Sequence, residues 1–180
     1  GWTTDLPPNA QPLQTLGSKF GYFNRYRVCQ AGVPGCLYPA TGTTDDWAYG
    51  ELGLASYTFE VGTSFFQDCD SFESTIYPHN LQALLYAARV ARAPYATPSG
   101  PDVLALTISS AIPLSGTRVS MPITLRAVAD DTRHSSCGGG EEPSQAILAA
   151  EYTMDAPPWV SGTITYPLEA SDGRFDSSVE

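Results

Sequence analysis

One short stretch restricts the possible folds more than any other part of the chain. Residues 55–61, ASYTFEV, alternate strictly: Ala55, Tyr57, Phe59 and Val61 share one side of an extended backbone, and Ser56, Thr58 and Glu60 the other. The pattern predicts a strand with aromatics toward a core and a carboxylate on its polar face. Helical periodicity stands on both sides of it. From Pro12 to Tyr26, Leu13, Leu16, Phe20 and Phe23 recur at three- and four-residue steps. Pro78 opens a second helical pattern, with Leu81, Leu84, Leu85 and Ala88 expected to face one way and Arg89 and Arg92 near its end. A lone strand between two helices cannot make a sheet covered on both faces. Residues 1–94 are therefore expected to draw sheet partners from upstream sequence. Gly1 is no initiator residue and no secretory leader pattern follows it, so the chain reads as processed, trimmed or incomplete.

The character of the sequence changes at RAPYATPSGPD, residues 92–102, whose proline and glycine content suits a connection; residues 95–102 are assigned as the linker. Beyond it the helical period vanishes. Leu104, Leu106 and Ile108 alternate, then Val119, Met121, Ile123, Leu125 and Ala127, while QAILAAEYT (145–153) fits either a strand or a short helix. The fold class expected is α/β for residues 1–94, followed over 103–180 by an all-β, sandwich-like module. That module holds too few strands to close two sheets, and it stops soon after the turn signal at Asp172–Gly173, so its last strands are expected to be missing.

Composition removes several functions. The net charge is −10 and no cluster of basic residues exists, which argues against nucleic acid. The single lysine, Lys19, beside eight arginines reads as a usage bias. No apolar run is long enough to span a membrane. Cys29 and Cys36 flank QAGVPG, a turn-rich hexapeptide that can bring the two Cβ atoms together. A disulfide closing so short a loop contributes roughly 2–3 kcal/mol and favours an oxidising compartment. Zinc binding is the competing reading, without a CxxC or a nearby histidine to support it. Cys69 and Cys137 can pair with each other or with a cysteine elsewhere.

The span YPATGTTDDWAYGELGLASYTFEVG, starting at Tyr38, resembles the C-terminal catalytic segment of zinc carboxypeptidases of the carboxypeptidase A/B family (peptidase family M14). That family pattern is a tyrosine, a glycine-containing loop, Asp-Trp-x-Tyr, then a strand reading Thr-Phe-Glu. Tyr38, Gly42, Asp46, Trp47, Tyr49, Thr58, Phe59 and Glu60 stand in register with it. FFQDCDSFESTIYPHNLQALLYAA is similar to the family's closing loop and terminal helix, and GWTTDLPPN to the segment after its third zinc ligand. The resemblance covers residues 1–94 and implies the C-terminal part of a mixed-sheet carboxypeptidase domain.

Roles follow from the resemblance. Glu60 matches the general base, which takes a proton from the attacking water and returns it to the leaving amine; the period-2 pattern separately puts Glu60 on a polar strand face. Tyr38 matches a mobile tyrosine that closes over the substrate, where a phenol supplies a donor, an acceptor and a flat apolar body. Asp46 and Trp47 belong to the shared Asp-Trp pair, with Asp46 expected to brace the loop amides. Asp45 occupies the position at the base of the pocket for the substrate's C-terminal side chain, where a carboxylate favours Lys or Arg; the alternative is an Asp45 that points to solvent or is neutralised locally. Ala40 and Thr58 match pocket-wall positions, and so does Gly1. The implied substrates are peptide or protein C-termini, and the implied location is extracellular.

The implied cofactor is Zn2+, but its ligands, His-x-x-Glu and a later histidine, belong upstream of Tyr38 and none lies here. His79 and His134 have no ligand partner at useful spacing and read as surface or capping residues. The chain is expected to need the missing N-terminal part of the catalytic domain to be active. In the second half, Asp130, Asp131, Glu141 and Glu142 surround a glycine-rich loop that reads as a solvated acidic loop or, less simply, a calcium loop. The stretch from Asp130 to Trp159 is similar to β-sandwich appendages of secreted bacterial enzymes, and Trp159 and Tyr166 are too few for a glycan-binding platform. The competing reading of the whole chain is a non-catalytic peptidase-like protein or an extracellular binding or adhesion module.

Overall fold

A computed structural model describes residues 5–110, 123–135 and 142–180. The chain is a mixture of helix and strand with two small antiparallel sheets. It divides into two compact units. The first comprises Gly1–Gly100 together with Arg133–Pro143, and the second Pro101–Thr132 together with Ser144–Glu180.

The first unit is built on α1 (Ala10–Asn24), α2 (Thr44–Leu52), α3 (Cys69–Ser71) and α4 (Tyr77–Val90), with a π-helical turn, Phe72–Ile76, joining the last two. The helix expected over Pro12–Tyr26 is α1. It ends earlier, where Arg25 turns left-handed at φ 65° and donates its N–H to Gly21 O. Its apolar face meets α4 around Leu16, Phe20, Ala83, Tyr86 and Val90, all buried. Phe20 packs edge-on against Tyr57, Phe59 and Tyr86, with ring centroids 5.1, 5.3 and 6.3 Å away.

The face expected for the second helix is corrected by the structure. Leu84 and Leu85 are 56% and 55% exposed, whereas Ala83, Tyr86 and Val90 are buried. The π turn widens the helical spiral just before α4 and so sets the phase of the residues that follow. Ala83, with no exposed surface, lets α1 approach closely, and Tyr86 fills the space beside Phe20. Both apolar stripes of α4 exist in the sequence; the one carrying Ala83, Tyr86 and Val90 faces the core.

A polar cluster closes one end of this core. Asn24 and Asn80 are buried, and Asn24 Nδ2 donates to Asn80 Oδ1 at 3.4 Å. Asn80 Nδ2 donates to the Tyr26 hydroxyl (3.0 Å) and to Ile76 O (2.9 Å). The same hydroxyl accepts from Gly62 N at 2.9 Å. Buried amides are tolerated where such partners satisfy them.

In the second unit, β1 (Asp102–Ser110) and β2 (Ile123–Asp130) form one antiparallel pair, and β3 (Glu151–Thr153) and β4 (Thr165–Pro167) the other. The first pair carries a bulge between Leu104 and Thr107, with Ala105 at φ 46°. Residues 178–180 run along β2, with Ala129 and Glu180 exchanging backbone hydrogen bonds of 2.7 and 2.9 Å. The ambiguous stretch 145–153 is not helical; only its last three residues join a strand. Of the alternating run expected from Val119 to Ala127, Val119 and Met121 lie outside the described residues.

The phase of α4 is testable by chemical denaturation of variants. Phe20→Ala should cost about 3–5 kcal/mol of unfolding free energy, and Leu84→Ala less than about 0.5 kcal/mol. Equal losses would mean that Leu84 is in the core.

Candidate functional site

Local rules position each of the residues singled out. Residues 29–38 form a tight loop closed by the Cys29–Cys36 disulfide, with Cα atoms 5.9 Å apart. Gly32 N donates to Leu37 O at 3.0 Å, Cys36 N to Val33 O at 3.0 Å, and the Arg27 guanidinium to Gly35 O. Tyr38 leaves this loop 79% exposed, and Ala40 is half-buried two residues on. Cys69 is a free, exposed thiol, and Cys137 lies outside the described residues.

The Asp-Trp segment lies in the helix α2. Thr43 caps it: its backbone is extended (φ −77°, ψ 151°) and its side-chain oxygen accepts from Asp46 N at 3.4 Å. Asp45 and Asp46 therefore lie in the first turn, where the unsatisfied N–H groups of a helix favour negative charge. Both are half-buried, and Trp47 is 57% exposed. Gly53 ends α2 at φ 67°, its N–H reaching Tyr49 O at 3.0 Å, while Leu54 N reaches Ala48 O at 3.2 Å. The cap was legible as Thr43-x-x-Asp46 with a glycine ten residues on, a signal that the weak apolar pattern of TDDWAYGEL obscured.

From Leu54 to Val61 the chain is extended and, among the described residues, forms no ladder. Its alternation is nevertheless expressed. Ala55, Tyr57 and Phe59 pack against the core, while Thr58 and Glu60 are exposed. Val61, expected on the core face, is 55% exposed because the chain turns immediately after it. Gly62 makes that turn at φ 83°, and a Cβ there would stand 2.9 Å from Gln67 Oε1 and 3.3 Å from Ile76 Cδ1. Tyr57 anchors the middle of the segment by donating its hydroxyl to Leu13 O at 2.8 Å. Burial, reinforced by the nearby Tyr95, pushes the Tyr57 phenol well above its ordinary range.

Asp45, Asp46 and Trp47 thus share one helical turn, and Thr58 and Glu60 one face of the extended segment. Among the described residues no side-chain hydrogen bond or ion pair joins Tyr38, Asp45 and Glu60 to one another. An open depression of about 470 Å³ is lined by Thr41, Gly42, Thr43, Asp46, Trp47, Gly50 and Glu51; it takes in the Asp-Trp pair but not Glu60.

Among the described residues no group of three His, Cys, Asp or Glu side chains is placed to hold a metal ion. His79 lies in the first turn of α4 and His134 in the 133–143 stretch of the first unit. Three of the acidic residues accept hydrogen bonds: Asp131 Oδ2 from Gln145 N (2.5 Å), Asp130 Oδ1 from Thr132 N (2.8 Å), and Glu142 Oε2 from Thr15 Oγ1 (2.7 Å). Glu141 lies outside the described residues. No helix among the described residues is long and apolar enough to cross a membrane.

No family model, no curated protein and no solved structure matches the chain.

The raised Tyr57 pKa has a signed consequence for stability. Its folded value exceeds the unfolded value of about 10, so the stabilisation is fully present below pH 10 and is lost as pH rises above it. Denaturation midpoints should fall above about pH 10 in the parent chain. Tyr57→Phe should flatten that fall and cost about 0.5–1.5 kcal/mol at neutral pH through the lost hydrogen bond. An identical alkaline profile in the variant would contradict this assignment.

Proposed function

We propose that the chain is the C-terminal portion of a secreted zinc carboxypeptidase of the carboxypeptidase A/B type, followed by a β-sandwich-like appendage. The observation that carries the reading is the disposition of Glu60. Its carboxylate is exposed on the polar face of an extended segment whose other face is fixed by Phe20. A general base needs that combination, an accessible carboxylate on an immobile backbone. The motif Tyr38, Gly42, Asp46-Trp47, Thr58-Phe59-Glu60 supplies the reaction class.

Other features of the first unit support it. Residues 54–61 are extended and without ladder partners among the described residues, and strands upstream of Gly1 would satisfy those backbone groups. Leu54, Val61, Leu84 and Leu85 are each more than half exposed and Phe66 is 95% exposed, apolar surface that an N-terminal portion would cover. The zinc ligands belong to that upstream portion, and zinc would supply a Lewis acid at the scissile carbonyl. The disulfide suits an oxidising, extracellular setting.

In this reading Glu60 accepts the proton of the attacking water and delivers it to the leaving amine. Tyr38, exposed beyond the disulfide loop, is free to close over the C-terminal residue of the peptide. Asp45 faces the side chain of that residue. A charge-assisted hydrogen bond there contributes about 1.5–3 kcal/mol, roughly a 10- to 100-fold preference for Lys or Arg.

The test uses the zinc-loaded protein carrying its upstream portion and peptides ending in Arg, Lys or Leu. Glu60→Gln should lower kcat by about 10²–10⁴-fold with zinc content unchanged; retained activity removes Glu60 from the base role. Asp45→Ile should shift the preference toward Leu, and an unaltered substrate profile places Asp45 outside the pocket. A zinc-free protein without hydrolytic activity would instead be the non-catalytic scaffold or binding module.

A further inference from the structure

α1 has a second face that its sequence assigns to solvent. Thr15, Ser18 and Lys19 are polar and lie outside the apolar stripe, yet they are only 3%, 6% and 1% exposed. Two of them are engaged by a stretch more than 100 residues away in sequence. Ser135 N donates to Ser18 O at 2.9 Å, and Thr15 Oγ1 donates to Glu142 Oε2 at 2.7 Å. The Arg133 guanidinium lies 5.3 Å from the ring centroid of Tyr22 and 5.1 Å from that of Phe23. These contacts spread over two turns of the helix, from Thr15 to Phe23.

The helix surface is cut to receive this stretch. A Cβ at Gly21 would stand 3.1 Å from Ser135 Cβ, besides 3.0 Å from Tyr26 O and 3.0 Å from Val28 Cγ2. A glycine in the middle of a helix is destabilising by about 0.5–1 kcal/mol relative to alanine; here it makes a notch that admits Ser135. The chain passes from the first unit to the second after Gly100, returns at Arg133 and leaves again after Pro143.

We propose that Arg133–Ser135 and Glu142 act as a strap that fixes α1 and, through Phe20, the extended segment 55–61, making Arg133 a positioning residue. The physical route is continuous. Arg133 lies over Phe23, the adjacent turn of α1 carries Phe20, and Phe20 touches Tyr57 and Phe59, the second of which immediately precedes Glu60. The strap itself stands on these contacts alone; its value to catalysis rests on the carboxypeptidase reading.

Native-state hydrogen exchange on the full chain tests the strap independently of activity. Arg133→Gln should speed exchange of amides in α1 and in residues 55–61 by about 3- to 30-fold, the range of a partly buried cation–π contact. Arg133→Lys should restore most of the protection, because an ammonium also sits over an aromatic face. Thr15→Val, a milder change that removes one strap hydrogen bond, should accelerate exchange in the same two regions by about 2- to 10-fold and carries the test should Arg133→Gln not fold. Acceleration confined to residues 133–135, or a lysine variant no better protected than the glutamine one, overturns the proposal. A protein without peptidase activity can still show this pattern, and an active peptidase can fail to show it.

Discussion

The edge-to-face packing of Phe20 is the contact on which the first unit depends. Three of its neighbours come from two different elements: Tyr57 and Phe59 from the extended segment, and Tyr86 from α4. Residues 54–61 have no hydrogen-bonded strand beside them among the described residues, so side-chain packing fixes their alternation. Tyr57 adds one directional constraint, its hydroxyl on Leu13 O, which also ties the segment to α1. With three apolar or aromatic residues locked inward, the period of two leaves Thr58 and Glu60 outward. The accessibility of Glu60 is therefore a consequence of the core packing of Phe59 and of Tyr57 and Ala55 before it.

The same logic explains what could be read from the sequence. Alternation over 55–60 was legible because period-2 patterning is local and each residue obeys it once the aromatics choose the core. The α1 stripe was legible for the corresponding reason at a helical period. The face of α4 was not, because Leu84 and Leu85 are as apolar as the residues that are buried, and a π turn upstream sets which stripe points inward. Helix α2 was hidden by its lack of an apolar stripe, although Thr43, Asp46 and Gly53 carry its start and stop signals. The burial of Thr15 and Ser18 had no local signature at all, since their partners Glu142 and Ser135 are over a hundred positions away.

The candidate site divides in the same way. Cys29 and Cys36 were predictable from a turn-rich loop of the right length, and the structure joins them. Asp45 and Asp46 were distinguished in the sequence only by resemblance; the helix places both in one capped first turn, where their charge is favourable in any case. Their half-burial leaves the two acids different futures, Asp46 beside the Thr41–Glu51 depression and Asp45 outside its lining. Tyr38 and Glu60 are both solvent-facing. In our reading the upstream portion of the catalytic domain brings them together around the metal that it ligates.

Locating the metal tests that reading most directly. Anomalous diffraction at the zinc edge, from crystals of the protein carrying its upstream portion, should show one strong peak beside the Glu60 carboxylate. The ligands should be upstream histidine and glutamate side chains, with Glu60 close to the ion but outside its coordination sphere. A zinc-replete protein whose anomalous peak lies away from Glu60, or crystals with no peak at all, would contradict the account.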